Sequence, residues 1–234
     1  MWSGPRNIST AMMRAWENRP DTFVIDEPFY AYYLQRTAAD HPGRDEVIAH
    51  GETDWKKVVT RLTSDPPNGK RIFYQKQMTH HLLPEIDRDW MLGLTNCFLI
   101  RDPAEVIASY TKKNREPTLE DVGFVQQEEI FNWLRARSGR PAVIDARDVL
   151  ENPRKTLSLL CAAVGVEFTE TMLLWPAGRR ETDGIWAKYW YAEVEKSTAF
   201  QPHKSNRAEV PARLAAVHDK CREIYERLHG FRLQ

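Results

Sequence analysis

The chain has 234 residues, 42% of them hydrophobic and 28% charged, with 33 basic side chains balancing 33 acidic ones. That length and composition predict one globular domain, residues 1–234, able to bury roughly three-quarters of its unfolded surface without disulfides or a structural metal. A formal net charge of zero excludes a polybasic nucleic-acid binder, and no apolar run approaches the roughly 20 residues of a membrane-spanning helix.

In chain order, Met1 to Arg6 lacks the charged and apolar regions of a secretory leader. Short apolar stretches at 23–25, 71–74, 96–100 and 142–144, bounded by polar or turn residues, read as buried strands. Helical patterns lie between them at 9–18, 29–37, 54–62, 80–91, 104–113 and 119–137. Residues 36–44 read as a mobile loop, and Thr63 to Arg71, with Ser64-Asp65-Pro66-Pro67-Asn68-Gly69, as a surface turn before a strand. Beyond Asp148 the pattern is helical at 153–164, with Gly165 as its cap, at 183–196, and at 210–228 before Gly230. Strands separated by helices of this length need crossover connections, so the fold class is α/β: a three-layer α/β/α domain around a central, mostly parallel sheet of four to five strands. Cys97, Cys161 and Cys221 form no CxxC pair and read as small core residues in a reducing compartment, which predicts a soluble, cytoplasmic protein.

Ligands of parallel sheets bind outside the carboxyl ends of the strands. Four such places carry chemistry. Pro5-Arg6-Asn7-Ile8-Ser9-Thr10 feeds a helix whose N–H groups, with Arg6 and two hydroxyls, suit a phosphate or sulfate; alternatively Ser9 or Thr10 caps the helix. Arg101-Asp102-Pro103 ends a strand and starts a helix bearing Ser109, so Arg101 is either a phosphate clamp or half of a local salt bridge with Asp102. Glu27, in Asp26-Glu27-Pro28, is a candidate proton acceptor or a helix-start carboxylate, while Asp26 is given no role. In the Tyr74 to His81 segment, Lys76 is a candidate cation and His80 either a candidate base or a solvated helix-start residue, which is how His81 is read. The aromatics Phe29, Tyr30, Tyr32, Tyr33, Trp186, Tyr189, Trp190 and Tyr191 suit either the core or a pocket wall. No HExxH, CxxC or Asp-rich loop points to a metal.

Taken together these segments resemble the sulfotransferase family, which uses 3'-phosphoadenosine-5'-phosphosulfate. The family's Pro-Lys/Arg-Ser-Gly-Thr-Thr loop is similar to residues 5–10, and its strand-Arg-Asp-Pro motif with a serine eight residues on is similar to Arg101-Asp102-Pro103 and Ser109. Tyr-Glu-Asp-Leu-x-x-(Asn)-Pro resembles Ala146 to Pro153, and Gly-x-Trp resembles Gly184-Ile185-Trp186. The resemblance covers residues 4 to about 190. It implies a P-loop-like fold and a metal-free reaction. Arg6, Asn7, Ser9, Thr10, Arg101, Ser109 and Trp186 would bind the nucleotide. Glu27, Lys76, His80 and Arg6 would serve transfer to a small-molecule or peptide acceptor.

This chain departs from the pattern in three ways. Ile8 stands where the family has glycine, and a β-branched residue resists positive φ, so the loop is expected to take another path or to belong to a subfamily with a different turn. Arg179-Arg180 only loosely represents the family's Arg-Lys-Gly, and Met1 and Trp2 are a stub where a central strand is expected, unless that strand begins upstream. The competing readings are a sulfotransferase-like nucleotide binder without catalysis and a P-loop kinase, whose second glycine and lysine are missing here. Between Glu27 and His80 as the base, Glu27 is favoured because Asp-Glu-Pro fixes its direction.

Overall fold

The computed structural model describes residues 1–37, 39–112, 116–203 and 208–234. Its strands are β1 (Trp2–Ser3), β2 (Thr22–Asp26), β3 (Ile72–Met78), β4 (Cys97–Ile100) and β5 (Ala142–Asp145), and they form one parallel sheet in the order β2-β3-β1-β4-β5. The helices are α1 (Ser9–Glu17), α2 (Tyr30–Thr37), α3 (Arg44–His50), α4 (Trp55–Leu62), α5 (Pro103–Thr111), α6 (Phe124–Ser138), α7 (Ala146–Glu151), α8 (Pro153–Ala163), α9 (Ala187–Trp190), α10 (Ala192–Glu195) and α11 (Ala215–His229).

Side chains alternate across each strand, and the two faces carry separate apolar layers. Trp2, Ile25, Phe98, Ile100 and Val143 pack with Val58 and Leu62 of α4, Ile130 and Leu134 of α6, and Ile224 and Leu228 of α11. Met1, Val24, Tyr74, Leu99 and Ile144 face the other way, onto Met12 and Trp16 of α1 and Leu157 and Leu160 of α8. Every strand is therefore buried on both sides, which is why the strands read as apolar runs rather than alternating ones. Cys97, Cys161 and Cys221 are buried in these layers, as small core residues should be.

Two-residue β1 is the middle strand, with Trp2 registered against both Gln77 and Phe98. From β1 the chain crosses to β2 on one side, and from β4 it crosses to β5 on the other. Right-handed crossovers running in opposite directions put α1 and α6 on opposite faces and open a crevice between the carboxyl ends of β1 and β4. The loop at 4–8 and Arg101 both stand there.

The structure corrects several expected elements. No α-helix covers 80–91: short 3-10 turns at Thr79–His81 and Asp89–Gly93 replace it, because Pro84 lacks the N–H a helix interior needs. The 183–196 pattern splits into α9 and α10 at Tyr191, whose hydroxyl is tied into the sheet edge. Helix α6 starts only at Phe124, after Gly123 in the left-handed region, and α11 only after a 3-10 turn that follows Pro211. The helices α3 and α7 were not expected. Residue Lys113, the expected end of the 104–113 helix, lies outside the described residues, as does Ala38 of the 36–44 loop; the described part of that helix ends at Thr111. Finally, β3 runs on to Met78, so Lys76 lies inside a strand rather than after one.

Candidate functional site

The loop after β1 turns sharply by placing two non-glycine residues in the left-handed region, Arg6 at φ 60° and Ile8 at φ 53°. Ile8 thus adopts positive φ despite its β-branched side chain, against the resistance expected of it. Such conformations are costly for bulky residues and persist only where surrounding contacts impose them. Those contacts are visible. Arg101 donates from Nη1 to the Arg6 carbonyl at 2.7 Å, and Asn7 Nδ2 donates to the Leu99 carbonyl at 3.0 Å, tying the loop to the end of β4.

Ile8 is also the N-cap of α1, and no side chain caps that helix. Neither Ser9 nor Thr10 acts as the cap, so the helix start keeps unsatisfied N–H groups and its positive dipole end. Arg6 reaches across the crevice and donates from Nε to the Ser109 hydroxyl at 2.9 Å. Among the described residues no carboxylate pairs with Arg6, and its pKa is lowered by burial, which outweighs the opposing effect of Tyr110, with a smaller further lowering from the nearby Arg101 guanidinium. Arg101 has its own partner, Glu105, at 2.9 Å; the local salt bridge expected with Asp102 is instead made with Glu105, while Asp102 caps α5. A half-buried guanidinium with no carboxylate partner among the described residues, beside a second one at an uncapped helix start, makes a locally positive site whose chemistry suits an anion.

A second group lies across β1, at the ends of β2 and β3. Lys76 is fully buried and donates to Asp26 Oδ1 at 2.9 Å, Glu27 Oε1 at 2.5 Å and the Tyr191 hydroxyl at 2.8 Å. An ammonium has three protons, so every donor is engaged. Burial alone would lower the Lys76 pKa, yet the charges of Asp26 and Glu27 outweigh it and hold the ammonium protonated well above its ordinary range. Tyr191 donates in turn to Asp26 Oδ2 at 2.6 Å, and the Gly184 N–H adds a bond of 3.3 Å to the same oxygen. Asp26, given no role by the sequence, is therefore the anchor of this cluster. Its signal was present: a carboxylate at the end of a strand buried on both faces must be paired.

Glu27 sits at φ 38°, its N–H bonded to the Lys76 carbonyl, and its Oε2 is 3.9 Å from His81 Nδ1. Burial raises the Glu27 pKa, with the Lys76 ammonium opposing and Asp26 reinforcing the rise. His81 is buried, not solvated, and stacks on Tyr30 and Tyr33 with centroids 4.8 and 4.7 Å away. His80 meets His81 edge-on at 4.3 Å, and burial, with His41 nearby, pulls its pKa down to about 3. Both imidazoles are neutral at pH 7.

Trp186 belongs to this second group: its ring meets Tyr30 edge-on at 5.0 Å and its Nε1 lies 3.4 Å from the Tyr191 hydroxyl. A Cβ on Gly184 would fall 2.1 Å from that ring, so the Gly-x-Trp spacing is a packing requirement. Arg180 bonds the Pro176 carbonyl and lies 3.9 Å from Glu17, at the far end of α1. The site residues thus form two groups on one sheet edge: Arg6, Asn7, Ser9, Thr10, Arg101 and Ser109 in one, Glu27, Lys76, His80 and Trp186 in the other. Beside His80 opens a cavity of about 360 Å³, to which Tyr33, Tyr110 and Asp121 also contribute. No cluster of metal-ligating side chains occurs among the described residues.

The sulfotransferase domain model matches residues 1–216. The chain belongs to the sulfotransferase domain family. It is similar in sequence to two Arabidopsis thaliana proteins named branched-chain-amino-acid aminotransferase-like protein 1 and 2. Identity to the first is 35% over 203 residues, covering 87% of this chain and 36% of that protein. For the second it is 31% over 224 residues, covering 96% and 40%. This sulfotransferase-family chain therefore spans well under half the length of these curated relatives. In fold it is similar to the sulfotransferase domain of the Synechococcus PCC 7002 olefin synthase, with a TM-score of 0.59, 19% identity, and 96% and 92% of the two chains covered. It is also similar to a sulfotransferase from Alicyclobacillus acidocaldarius, with a TM-score of 0.54, 13% identity, and coverage of 100% and 95%. The expected three-layer sheet architecture is thus the family's. No helix among the described residues is long and apolar enough to cross a membrane.

Proposed function

We propose that this chain is a sulfotransferase that uses 3'-phosphoadenosine-5'-phosphosulfate as the donor and a hydroxyl or amine of a small molecule or peptide as the acceptor. The observation that carries the reading is the positive site made by Arg6, without a carboxylate partner among the described residues, beside Arg101 and the uncapped start of α1. The loop N–H groups, Arg6, Ser9 and Thr10 suit the donor's 5'-phosphosulfate, while Arg101 and Ser109 suit its 3'-phosphate. In the transfer an acceptor oxygen bonds to sulfur as the sulfur–oxygen bond to phosphate breaks; its electron pair leaves with adenosine 3',5'-bisphosphate, and the acceptor proton goes to a base.

Glu27 is the favoured base, because burial brings its pKa closer to neutrality while His80, at about 3, is a weak proton acceptor. Lys76 orients Glu27 through Oε1 and leaves Oε2 open to receive a proton. Because its three donors are engaged, Lys76 contacts the sulfuryl group only by releasing one of them. A second reading, a nucleotide-binding domain without catalysis, draws on the aminotransferase-like names of the curated relatives. Calorimetry with adenosine 3',5'-bisphosphate against ATP, followed by a mass-spectrometric screen for sulfated products, separates the two. Bisphosphate binding with no sulfated product supports the binder, and preference for ATP overturns both.

A further inference from the structure

Asp26 and Glu27 are consecutive carboxylates with unlike surroundings. The register of β2 on β3 sets Asp26 beside Lys76, and Glu27 leaves the strand at φ 38°, its N–H bonded to the Lys76 carbonyl at 3.0 Å. A non-glycine residue holds such a conformation only where its surroundings impose it. The Asp26 side chain is 1% exposed and accepts three donors: Lys76 Nζ at Oδ1, and the Tyr191 hydroxyl and Gly184 N–H at Oδ2. The Glu27 side chain is 12% exposed and, among the described residues, accepts one, Lys76 Nζ at Oε1. One carboxylate is enough to neutralise one ammonium, so the second carboxylate leaves Glu27 incompletely satisfied, as a proton acceptor must be.

Tyr191 maintains this division from a distant part of the chain. Its hydroxyl gives its proton to Asp26 Oδ2 at 2.6 Å and accepts the third proton of Lys76 at 2.8 Å, with Trp186 Nε1 3.4 Å away. Were that hydroxyl removed, the freed Lys76 proton and the freed Asp26 oxygen would turn to each other, since a bond between two charged groups is stronger than one to a neutral hydroxyl. Lys76 would then lean away from Glu27.

We propose that Asp26 and Tyr191 are positioning residues for Glu27: together they hold Lys76 between the two carboxylates, so that Glu27 Oε1 is pinned and Oε2 is left to accept a proton. This deepens the sulfotransferase reading and rests on it for the use Glu27 makes of the proton. The titratable groups facing Glu27 are Asp26 on β2, Lys76 on β3, His81 on the 3-10 turn at 3.9 Å, and Tyr191 between α9 and α10. Burial raises the Glu27 pKa most, Lys76 lowers it, and the charge of Asp26 raises it again.

Two substitutions should move the Glu27 titration in opposite directions, which general damage to the site does not do. Infrared difference spectroscopy on the full chain follows the protonated carboxyl band of Glu27 against pH, with Glu27→Gln assigning the band. In Asp26→Asn, Lys76 serves Glu27 alone and a neighbouring negative charge is gone, so the midpoint should fall by about one pH unit. In Tyr191→Phe, Lys76 is drawn toward Asp26, so the midpoint should rise by about as much. The acid limb of sulfated-product formation should follow both shifts while the affinity for adenosine 3',5'-bisphosphate stays as in the parent chain. Midpoints that stay in place, or that move the same way, overturn the proposal; if one variant fails to fold, the direction shown by the other decides. Opposite shifts in a chain that yields no sulfated product support the positioning of Glu27 and overturn the sulfotransferase reading.

Discussion

Arg6 and Arg101 differ in what they already hold, and that difference sets separate expectations. Arg6 has a neutral partner, Ser109, and no carboxylate among the described residues, while Arg101 is shared between Glu105 and the Arg6 carbonyl. Arg6→Ala should weaken adenosine 3',5'-bisphosphate and adenosine 5'-phosphate alike, by about 2 kcal/mol, the worth of a charge-assisted bond pair. Arg101→Ala should weaken the bisphosphate by a similar amount and the monophosphate far less; calorimetry with both ligands compares them, and equal losses for Arg101→Ala contradict its 3'-phosphate role. At Glu27 the expectation concerns rate. A positioned base contributes 10²- to 10⁴-fold, so Glu27→Gln should lower turnover by about that factor with bisphosphate affinity nearly unchanged, and His80→Asn should cost less. Because burial raises the Glu27 pKa, turnover should fall as pH drops through a value above the ordinary carboxylate range. A steady-state pH profile checks this, and the reverse order of the two variants moves the base to His80.

Three elements meet where the loop at 4–8, the 3-10 turn Thr79–His81 and the start of α6 converge, and Gly123 is their contact point. It lies at φ 71°, accepts from the Thr79 hydroxyl at 2.8 Å, and has no room for a side chain. A Cβ there would stand 2.7 Å from Thr79 Oγ1, and 3.5 Å from both the Gly4 Cα and His80 Nδ1. Gly123→Ala combines a left-handed backbone with this crowding, so it should cost on the order of 2 kcal/mol in urea unfolding. It should also weaken bisphosphate binding, because Gly4 begins the anion loop. Loss of stability without any effect on that ligand would mean the loop moves independently of α6.

Across the whole molecule, the two buried histidines make stability depend on pH. His80 titrates at about 3 in the folded chain, whereas an unfolded histidine titrates near 6.5. Below that value the unfolded chain takes up a proton that the native one refuses, so stability is fully present above pH 6.5 and is lost as pH falls toward 3. The slope for one such group is about 1.4 kcal/mol per pH unit, and His81, also held well below its ordinary value, acts in the same direction. His80→Asn should therefore flatten the decline of the urea midpoint between pH 6.5 and 4, with His41, Asp121 and His81 as the groups facing the change. An unaltered slope would show that His80 is hydrated and titrates normally.

Local sequence determined strands β2 to β5, most of the long helices and the order of the motifs, because a short apolar run between turn signals has few ways to be satisfied except in a sheet covered on both faces. It also determined which residue types stand at the strand ends. What it left open were contacts between segments distant in the chain. Asp26 finds Tyr191 across 165 residues, Arg6 finds Ser109 across 103, and the 80–91 segment gives up a helix at Pro84 while packing against α6. The left-handed Ile8 runs against its own local preference and persists because Arg101 and Asn7 brace the loop from β4. Local preferences are worth tenths of a kcal/mol to about one per residue, less than the cost of an unpaired buried charge, so at the sheet edge the tertiary structure decided which partners met.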